Sequence, residues 1–431
     1  MTEGTPNIVQ VAVPSPLRRL FDYLVTEDVI KNSVNCRADI GCRVEVSFGR
    51  QKIIGIIVAK SSSSEFDFDQ LKSVQKLLDP IPLIPKNLFE LFNWAANYYQ
   101  HPIGDALFST LPVLLRKGQE LPDLTTKHWQ LTEQGNDLDD DVLSKAPSQR
   151  SLIRHLKDSH SLSDTFLVEK FSKAVIDTLE QKQLIVSTKR SEAELDPTQI
   201  LRQDILKLNS SQKTALDQVD QHCFNCYLLD GVTGSGKTEI YLQAIDKVLR
   251  CGRQALILIP EISLTPQTEK RFRDRFNAPL VTLHSGLTDK KRLLAWTKAK
   301  SGEAKIILGT RSAIFTPLLS PGLIVIDEEH DQSYKQQEGF RYSARDLAVI
   351  RARKEKIPII LGSATPSIES LKNCDIERYQ YLNLTERAGN AVQPKWSVID
   401  LKSEECESGI SVSTLKACLL YTSPSPRDFE A

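Results

Sequence analysis

GVTGSGKT, residues 231–238, follows the apolar run CYLL at 226–229 and opens onto EIYLQAIDKVLR at 239–250, which has helical apolar spacing. Strand, glycine-rich loop and helix in that order make a phosphate cradle. Several backbone N–H groups must converge on one phosphate, and side chains at those positions would block the approach. On this reading Gly231, Val232, Thr233, Gly234, Ser235 and Gly236 wrap the phosphates of a nucleoside triphosphate. Lys237 reaches the β- and γ-phosphates, and the Thr238 hydroxyl binds Mg²⁺. ATP and Mg²⁺ are the implied ligands.

Downstream, LIVIDEEH at 323–330 is an apolar run ending in acids. Asp327 would lie at the strand's carboxyl end, where Mg²⁺ must be held, and Glu328 one residue on would orient and deprotonate the attacking water. Standing alone, an acid pair after a strand reads equally as a helix cap. IILGSATP at 359–366 repeats the arrangement. Ser363 and Thr365 are placed to exchange hydrogen bonds with the Glu328 and His330 region and so sense the nucleotide. The alternative is a Gly-Ser turn that caps the next helix.

Both motifs belong to a longer alternation of apolar strands with polar helices. The strand candidates are 226–229, 255–259, 280–283, 305–308, 323–326 and 357–361. Such alternation predicts right-handed βαβ units and a doubly wound parallel sheet covered on both faces, with ligands at the carboxyl ends of its strands. Upstream, IVQVAV, FDYLV, RVEVSF and KIIGIIVA between residues 8 and 59 read as strands of a small β-rich domain, closed by a helix at 88–99. Between them, amphipathic stretches at 149–157, 163–171 and 174–181 precede a strand-like 184–187. They resemble a winged helix-turn-helix, and a plain helical spacer fits the same pattern.

The expectation is therefore a multidomain α/β chain: 1–110 β-rich, 125–190 winged-helix-like and 205–417 a single RecA-like lobe. Residues 418–431 (CLLYTSPSPRDFEA) read as a tail foreign to that pattern, or else as a linker.

Composition bounds the function. The chain has 431 residues, 40% hydrophobic and 26% charged, with 55 Lys+Arg against 55 Asp+Glu. Zero net charge excludes holding nucleic acid by bulk electrostatics, so any such contact must be local and shaped. No apolar run approaches the roughly 18 residues of a membrane helix, and the N-terminus lacks a signal-peptide core, so no membrane partner and a cytoplasmic location are expected. Eight cysteines without framework spacing agree with a reducing compartment. The lone CxxC, Cys223 and Cys226, reads as two small packers rather than a zinc or redox site.

In the order GxxxxGKT, DEEH, SAT the chain resembles helicase superfamily 2. PEISLTPQT at 260–268 and GTRSA at 309–313 resemble that family's two motifs that track a DNA strand along its phosphates, with Arg311 as the phosphate contact. Gln212 sits where such enzymes place an adenine-recognising glutamine. DQSYKQQEGFRYSARD at 331–346 resembles an aromatic-rich loop that couples single-strand binding to hydrolysis, which implies DNA-binding roles for Tyr334, Phe340 and Arg341; for Phe340, core packing is the alternative.

Together with PLRRLFDYL at 16–24 and NYYQHPIGDAL at 97–107, residues 9–417 resemble the bacterial primosomal replication-restart DNA helicases. That resemblance implies an N-terminal domain holding the 3′ end of a nascent strand at a stalled fork, through Phe21, Asp22, Gly49 and Lys72. An aromatic face suits the terminal base, a carboxylate a sugar hydroxyl, an open glycine the backbone and a cation the phosphate. It further implies 3′ to 5′ unwinding, forked and single-stranded DNA as ligands, primosome and helicase-loading proteins as partners, and residence at nucleoid forks. Members of that family carry Zn²⁺ on a cysteine-rich segment, whose ligands this sequence lacks, and a second motor lobe with arginines that stabilise the transferred phosphate. Weak hydrolysis is the corresponding expectation for this chain. The competing readings are an ATP-independent module that binds a fork or primer 3′ end, and a double-strand translocase, against which the FDYL and HPIGD segments speak.

Overall fold

The computed structural model describes residues 8–33, 35–138, 143, 146–190, 199–387 and 397–422. It comprises a large unit, residues 1–387, and a small one, residues 388–431.

In the large unit, β1 (Ile8–Ala12), β2 (Phe21–Leu24), β3 (Arg43–Phe48), β4 (Gln51–Ser61) and β5 (Lys76–Leu77) form an antiparallel sheet in the order β2-β1-β4-β3-β5. Period-2 patterning sends Val9, Val11, Val44, Val46 and Ile57 into one core with Tyr23 and Leu77. Ala12 and Ile56 join a second core on the other side. There the helix Lys86–Tyr98 buries Leu88, Leu91, Phe92 and Ala95, a single stripe at helical spacing. The same core continues through Phe315, Leu347 and Ala348 of the parallel-sheet lobe, and Phe92 stacks on Phe315 at 4.8 Å. The β-rich domain and the lobe therefore share apolar packing rather than meeting across a wet seam.

The middle region contains the antiparallel strands β6 (Thr126–Leu131), β7 (Leu162–Ser163) and β8 (Ile185–Arg190), in the order β7-β6-β8, with helices Pro147–Ser159, Asp164–Lys170 and Lys173–Gln181. The three helices and β8 match the sequence expectation. β6 was not expected, because TKHWQL carries only two apolar side chains. Trp129 supplies the missing signal: it is buried in the helix core and donates Nε1–H to Asp164 at 2.7 Å.

The lobe is a seven-stranded parallel sheet of β9 (Cys226–Gly231), β10 (Gln254–Leu258), β11 (Leu280–Leu283), β12 (Ile306–Gly309), β13 (Pro321–Ile326), β14 (Ile359–Ser363) and β15 (Gln380–Leu384). The order is β11-β12-β10-β13-β14-β9-β15. β10 and β14 are buried at every position, as a sheet covered on both faces requires. The six expected strands are present to within a few residues. The edge strand β15, QYLNL, escaped because only alternate residues are buried. Cys226 is buried in β9, whereas Cys223 is exposed with its thiol 3.1 Å from Asp220.

In the small unit β16 (Cys406–Glu407) pairs antiparallel with β17 (Ile410–Ser411), ahead of a helix, Val412–Thr422. The lobe expected over 205–417 thus straddles the unit boundary. Of the expected tail, 418–422 continue this helix and 423–431 lie outside the described residues.

Candidate functional site

Three loops converge at the carboxyl ends of β9, β14 and β13, which are neighbours in the sheet. After β9 the glycine-rich loop turns through Gly234 (φ +82°) and Gly236 (φ +88°), conformations that side-chain-bearing residues resist. The helix Lys237–Arg250 then starts without a side-chain cap, leaving its N-terminal amides for an anion. Lys237 is buried, and its Nζ donates to Gly231 O at 2.7 Å. Ser235 Oγ is buried with no hydrogen-bond partner, and Gly234 has open space where a Cβ would stand. An open cradle with an orphaned hydroxyl fits a phosphate group. Thr238 and Asp327 both line an adjacent small cavity of about 80 Å³, beside Ser263, Thr268 and Arg271. A hydroxyl and a carboxylate are the hard oxygen donors that Mg²⁺ takes, so these residues fit the metal as well.

After β13, burial, with the Glu328 charge alongside, pushes the Asp327 carboxyl above the ordinary carboxylate range. Glu328 sits at φ +48°, a left-handed conformation in which a non-glycine residue stores strain. His330 Nδ1 lies 2.7 Å from Ser363 Oγ and 3.6 Å from Glu328 Oε2, and Ser363 Oγ also accepts from Thr365 N at 3.0 Å. His330, Ser363 and Thr365 thus form one polar link between the ends of β13 and β14.

Glu329, passed over in the sequence, is the buried acid of the box. Its carboxylate accepts from Ser367 N at 2.7 Å, Ser367 Oγ at 3.0 Å, Ser370 Oγ at 2.9 Å and Arg345 Nη1 at 3.1 Å. Glu329→Gln keeps the shape and removes the charge, so it is expected to lower stability by about 1–3 kcal/mol, read as a lower urea midpoint; an unchanged midpoint would remove Glu329 from the framework.

The residues assigned to DNA and base contacts occupy varied positions. Gln212 is buried, its amide spanning Asn209 N at 2.9 Å and Ser235 O at 2.8 Å. It braces the phosphate loop from behind. Arg311 Nη1 donates to Ser333 O at 3.0 Å and Lys335 O at 3.3 Å, tying the GTRSA segment to the aromatic-rich loop. Tyr334 is 2% exposed and Phe340 3%, so neither ring presents a face to solvent. Phe340 packs with His101, Tyr342, Phe315 and Tyr99, which is the core-packing alternative. Arg341 is exposed.

Phe21, Asp22, Gly49 and Lys72 all line one open cleft of about 990 Å³ in the N-terminal domain. Phe21 stands at the start of β2, braced edge-on by Phe48 at 5.0 Å and covered by the Arg19 guanidinium at 4.9 Å. Asp22 accepts from Gln10 Nε2 at 3.1 Å and Ser64 Oγ at 2.6 Å. Gly49 turns the β3–β4 hairpin at φ +61° with nothing within 4 Å of a would-be Cβ. Arg18, Arg19 and Phe66 also line the cleft, outside the set that the family resemblance implies. The pair Arg18-Arg19 just before FDYL was the available signal. Among the described residues no cluster of three or more His, Cys, Asp or Glu gathers as a metal site, and no helix is long and apolar enough to cross a membrane.

Residues 10–112 match the family model of a 3′ DNA-binding domain, and residues 209–374 that of the DEAD/DEAH box helicases. The chain is similar to the replication restart protein PriA of Haemophilus influenzae, 42% identical over 419 residues covering 95% of this chain and 56% of that protein. It is also similar to that of Bacillus subtilis, 31% identical, covering 92% of this chain and 57% of the relative. It spans about half the length of these curated relatives. Among solved structures, the helicase domain of Pyrococcus furiosus Hef is 26% identical, with a TM-score of 0.34 over 43% of this chain and 40% of that one.

Proposed function

This chain belongs to the family of the replication restart protein PriA, and we propose that it serves an ATP-dependent 3′ to 5′ DNA helicase that recognises stalled forks by the 3′ end of a nascent strand and initiates primosome assembly. The observation that carries the reading is the joining of two sites in one body. A cleft lined by an aromatic ring, a carboxylate and cations lies on a domain whose second core continues into a lobe bearing a phosphate loop. Phe21 stacks on the terminal base, Asp22 accepts the sugar hydroxyl, Gly49 admits the backbone and Lys72 with Arg18 meets phosphate.

In the lobe, Lys237 and the helix N-terminus bind the phosphates of ATP, while Thr238 and Asp327 hold Mg²⁺. The metal, when bound, neutralises charge developing on the transferred phosphate. Glu328 takes the proton of the attacking water, and His330 with Ser363 and Thr365 relays the state of the site to β14. Its place of action is the cytoplasm, at replication forks on the nucleoid, with primosome and helicase-loading proteins as partners.

A second reading, binding of a fork or primer 3′ end without turnover, draws on the arginines beside the box. Arg345 is committed to Glu329 and Arg311 to backbone carbonyls. If Arg271, which lines the cavity beside Thr238 and Asp327, does not reach the transferred phosphate, an arginine from another body is needed, and its lack is worth a factor of about 10³ to 10⁵ in rate. Assaying ATP hydrolysis and fork binding on the same sample separates the two. Fork binding with negligible DNA-stimulated hydrolysis supports end recognition by an incomplete motor, and brisk stimulated turnover supports a complete site. No preference for forks carrying a 3′ end would remove both.

Asp22 sharpens the test. A carboxylate accepts from a 3′-hydroxyl and repels a 3′-phosphate, so the chain should prefer free to phosphorylated 3′ ends. Asp22→Asn is expected to narrow that preference roughly 10-fold, measured by fluorescence anisotropy with the two oligonucleotides. Equal affinity of the unsubstituted chain for both ends would refute the assignment.

A further inference from the structure

β14 lies between β9, which leads into the phosphate loop, and β13, which ends at Asp327. A side chain running from the loop's helix to Asp327 must therefore cross the carboxyl end of β14. Tyr241 makes that crossing. It stands three residues after Thr238 and four after Lys237, so its ring leaves the helix on their face. The ring is buried, and Oη donates to Asp327 Oδ1 at 3.3 Å. The strand beneath is shaped to admit it: a Cβ on Gly362 would lie 1.4 Å from Tyr241 Oη and 2.7 Å from Cζ. A larger residue there would expel the phenol. A second phenol grips the same aspartate from behind, with Tyr334 Oη 2.6 Å from Asp327 O and 3.0 Å from Leu258 O.

We propose that Tyr241 is a positioning residue for Asp327, holding its carboxylate in the orientation that receives Mg²⁺, with Gly362 as the gap that lets the phenol through; the proposal rests on the nucleotide reading above. A carboxylate at a strand end can turn about two side-chain bonds. A hydroxyl donor on Oδ1 selects one orientation and leaves the other oxygen for a metal, which is how outer partners tune metal affinity. Between a phenol and a carboxylate oxygen, the phenol supplies the hydrogen, so Tyr241 is the donor of this contact. Without it Asp327 must be ordered when the metal arrives. Contacts of the loop with the phosphates do not involve the phenol and should persist.

The experiment is Tyr241→Phe in this chain, read by binding of a fluorescent ATP analogue across a Mg²⁺ titration. The Mg²⁺ concentration for half-maximal binding is expected to rise roughly 10-fold, while the affinity measured in EDTA stays at the unsubstituted value. Gly362→Ala, which displaces the phenol by contact, should raise the Mg²⁺ midpoint in the same direction and add little in the Tyr241→Phe background, since the two changes act on one contact. An unsubstituted Mg²⁺ midpoint in Tyr241→Phe overturns the inference and leaves the nucleotide reading standing. Nucleotide binding by the unsubstituted chain that ignores Mg²⁺ overturns both.

Discussion

Lys237→Ala is expected to weaken ATP-analogue binding about 100-fold, and to do so with and without Mg²⁺, unlike a change at Tyr241. The ammonium is buried within the loop, and its donor contact is the Gly231 carbonyl 2.7 Å away. A phosphate entering the cradle offers it an ionic acceptor in place of that neutral one. Charge-assisted hydrogen bonds contribute about 1.5–3 kcal/mol, and partial burial reduces their screening. The upper part of that range is about 100-fold in affinity. Alanine removes the cation and leaves the loop's glycines and helix N-terminus in place, so residual weak binding should remain. Lys237→Arg should not restore the lost affinity, because a planar fork with a bulkier head does not fit a cavity shaped around a point charge. Titration of the fluorescent analogue by fluorescence anisotropy decides it. Affinity unchanged in Lys237→Ala would mean that the loop does not hold triphosphate.

What could be read in the sequence follows from how far each feature's physical signal travels along the chain. The phosphate loop, the acid box and the small-residue strand end are contiguous, and each follows an apolar run that announces its strand, so their convergence could be anticipated. The four cleft residues are scattered over 52 positions, from Phe21 to Lys72. Only the family resemblance grouped them, and no pattern pointed to Ser64 or Gln10 as the supports of Asp22.

Burial was harder to read than chemistry. In the aromatic-rich loop, tyrosine and phenylalanine suit a stacked base and a packed core equally well. The decision came from partners distant in sequence: Leu258 and Asp327 for Tyr334, Tyr99 and His101 for Phe340. Gln212 carries the same ambiguity: a glutamine near a nucleotide site reads as a base contact, and here each end of its amide also holds a backbone group of this chain. Tyr241 is the plainest case. In the sequence it is one apolar position of an amphipathic helix, and only the strand order shows that its face looks across β14 to Asp327.

The N-terminal domain depends on an ion pair that the sequence did not mark. Arg43 on β3 is fully buried, its Nε and Nη2 on the Asp79 carboxylate at 2.8 to 3.3 Å and its Nη1 on Leu115 O at 2.7 Å and Gln119 O at 2.8 Å. Asp79 also accepts from Arg43 N at 2.7 Å. One guanidinium thus joins the sheet to Leu115 in the short helix Val113–Arg116 and to the chain just after it.

Asp79→Ala would leave that charge buried opposite carbonyls alone, which typically costs about 3–5 kcal/mol. Sheet and helices share a core, so the loss should propagate to the cleft. Affinity for a free 3′ end is expected to fall with the lowered urea midpoint, and nucleotide affinity, set by loops of the parallel-sheet lobe, should fall less. The paired replacement Arg43→Met with Asp79→Leu removes both charges together and should recover much of the stability, because the penalty lies in leaving one charge unpaired. If the single variant instead unfolds at the unsubstituted urea midpoint, the pair is solvated in solution and the cleft is held by apolar packing alone.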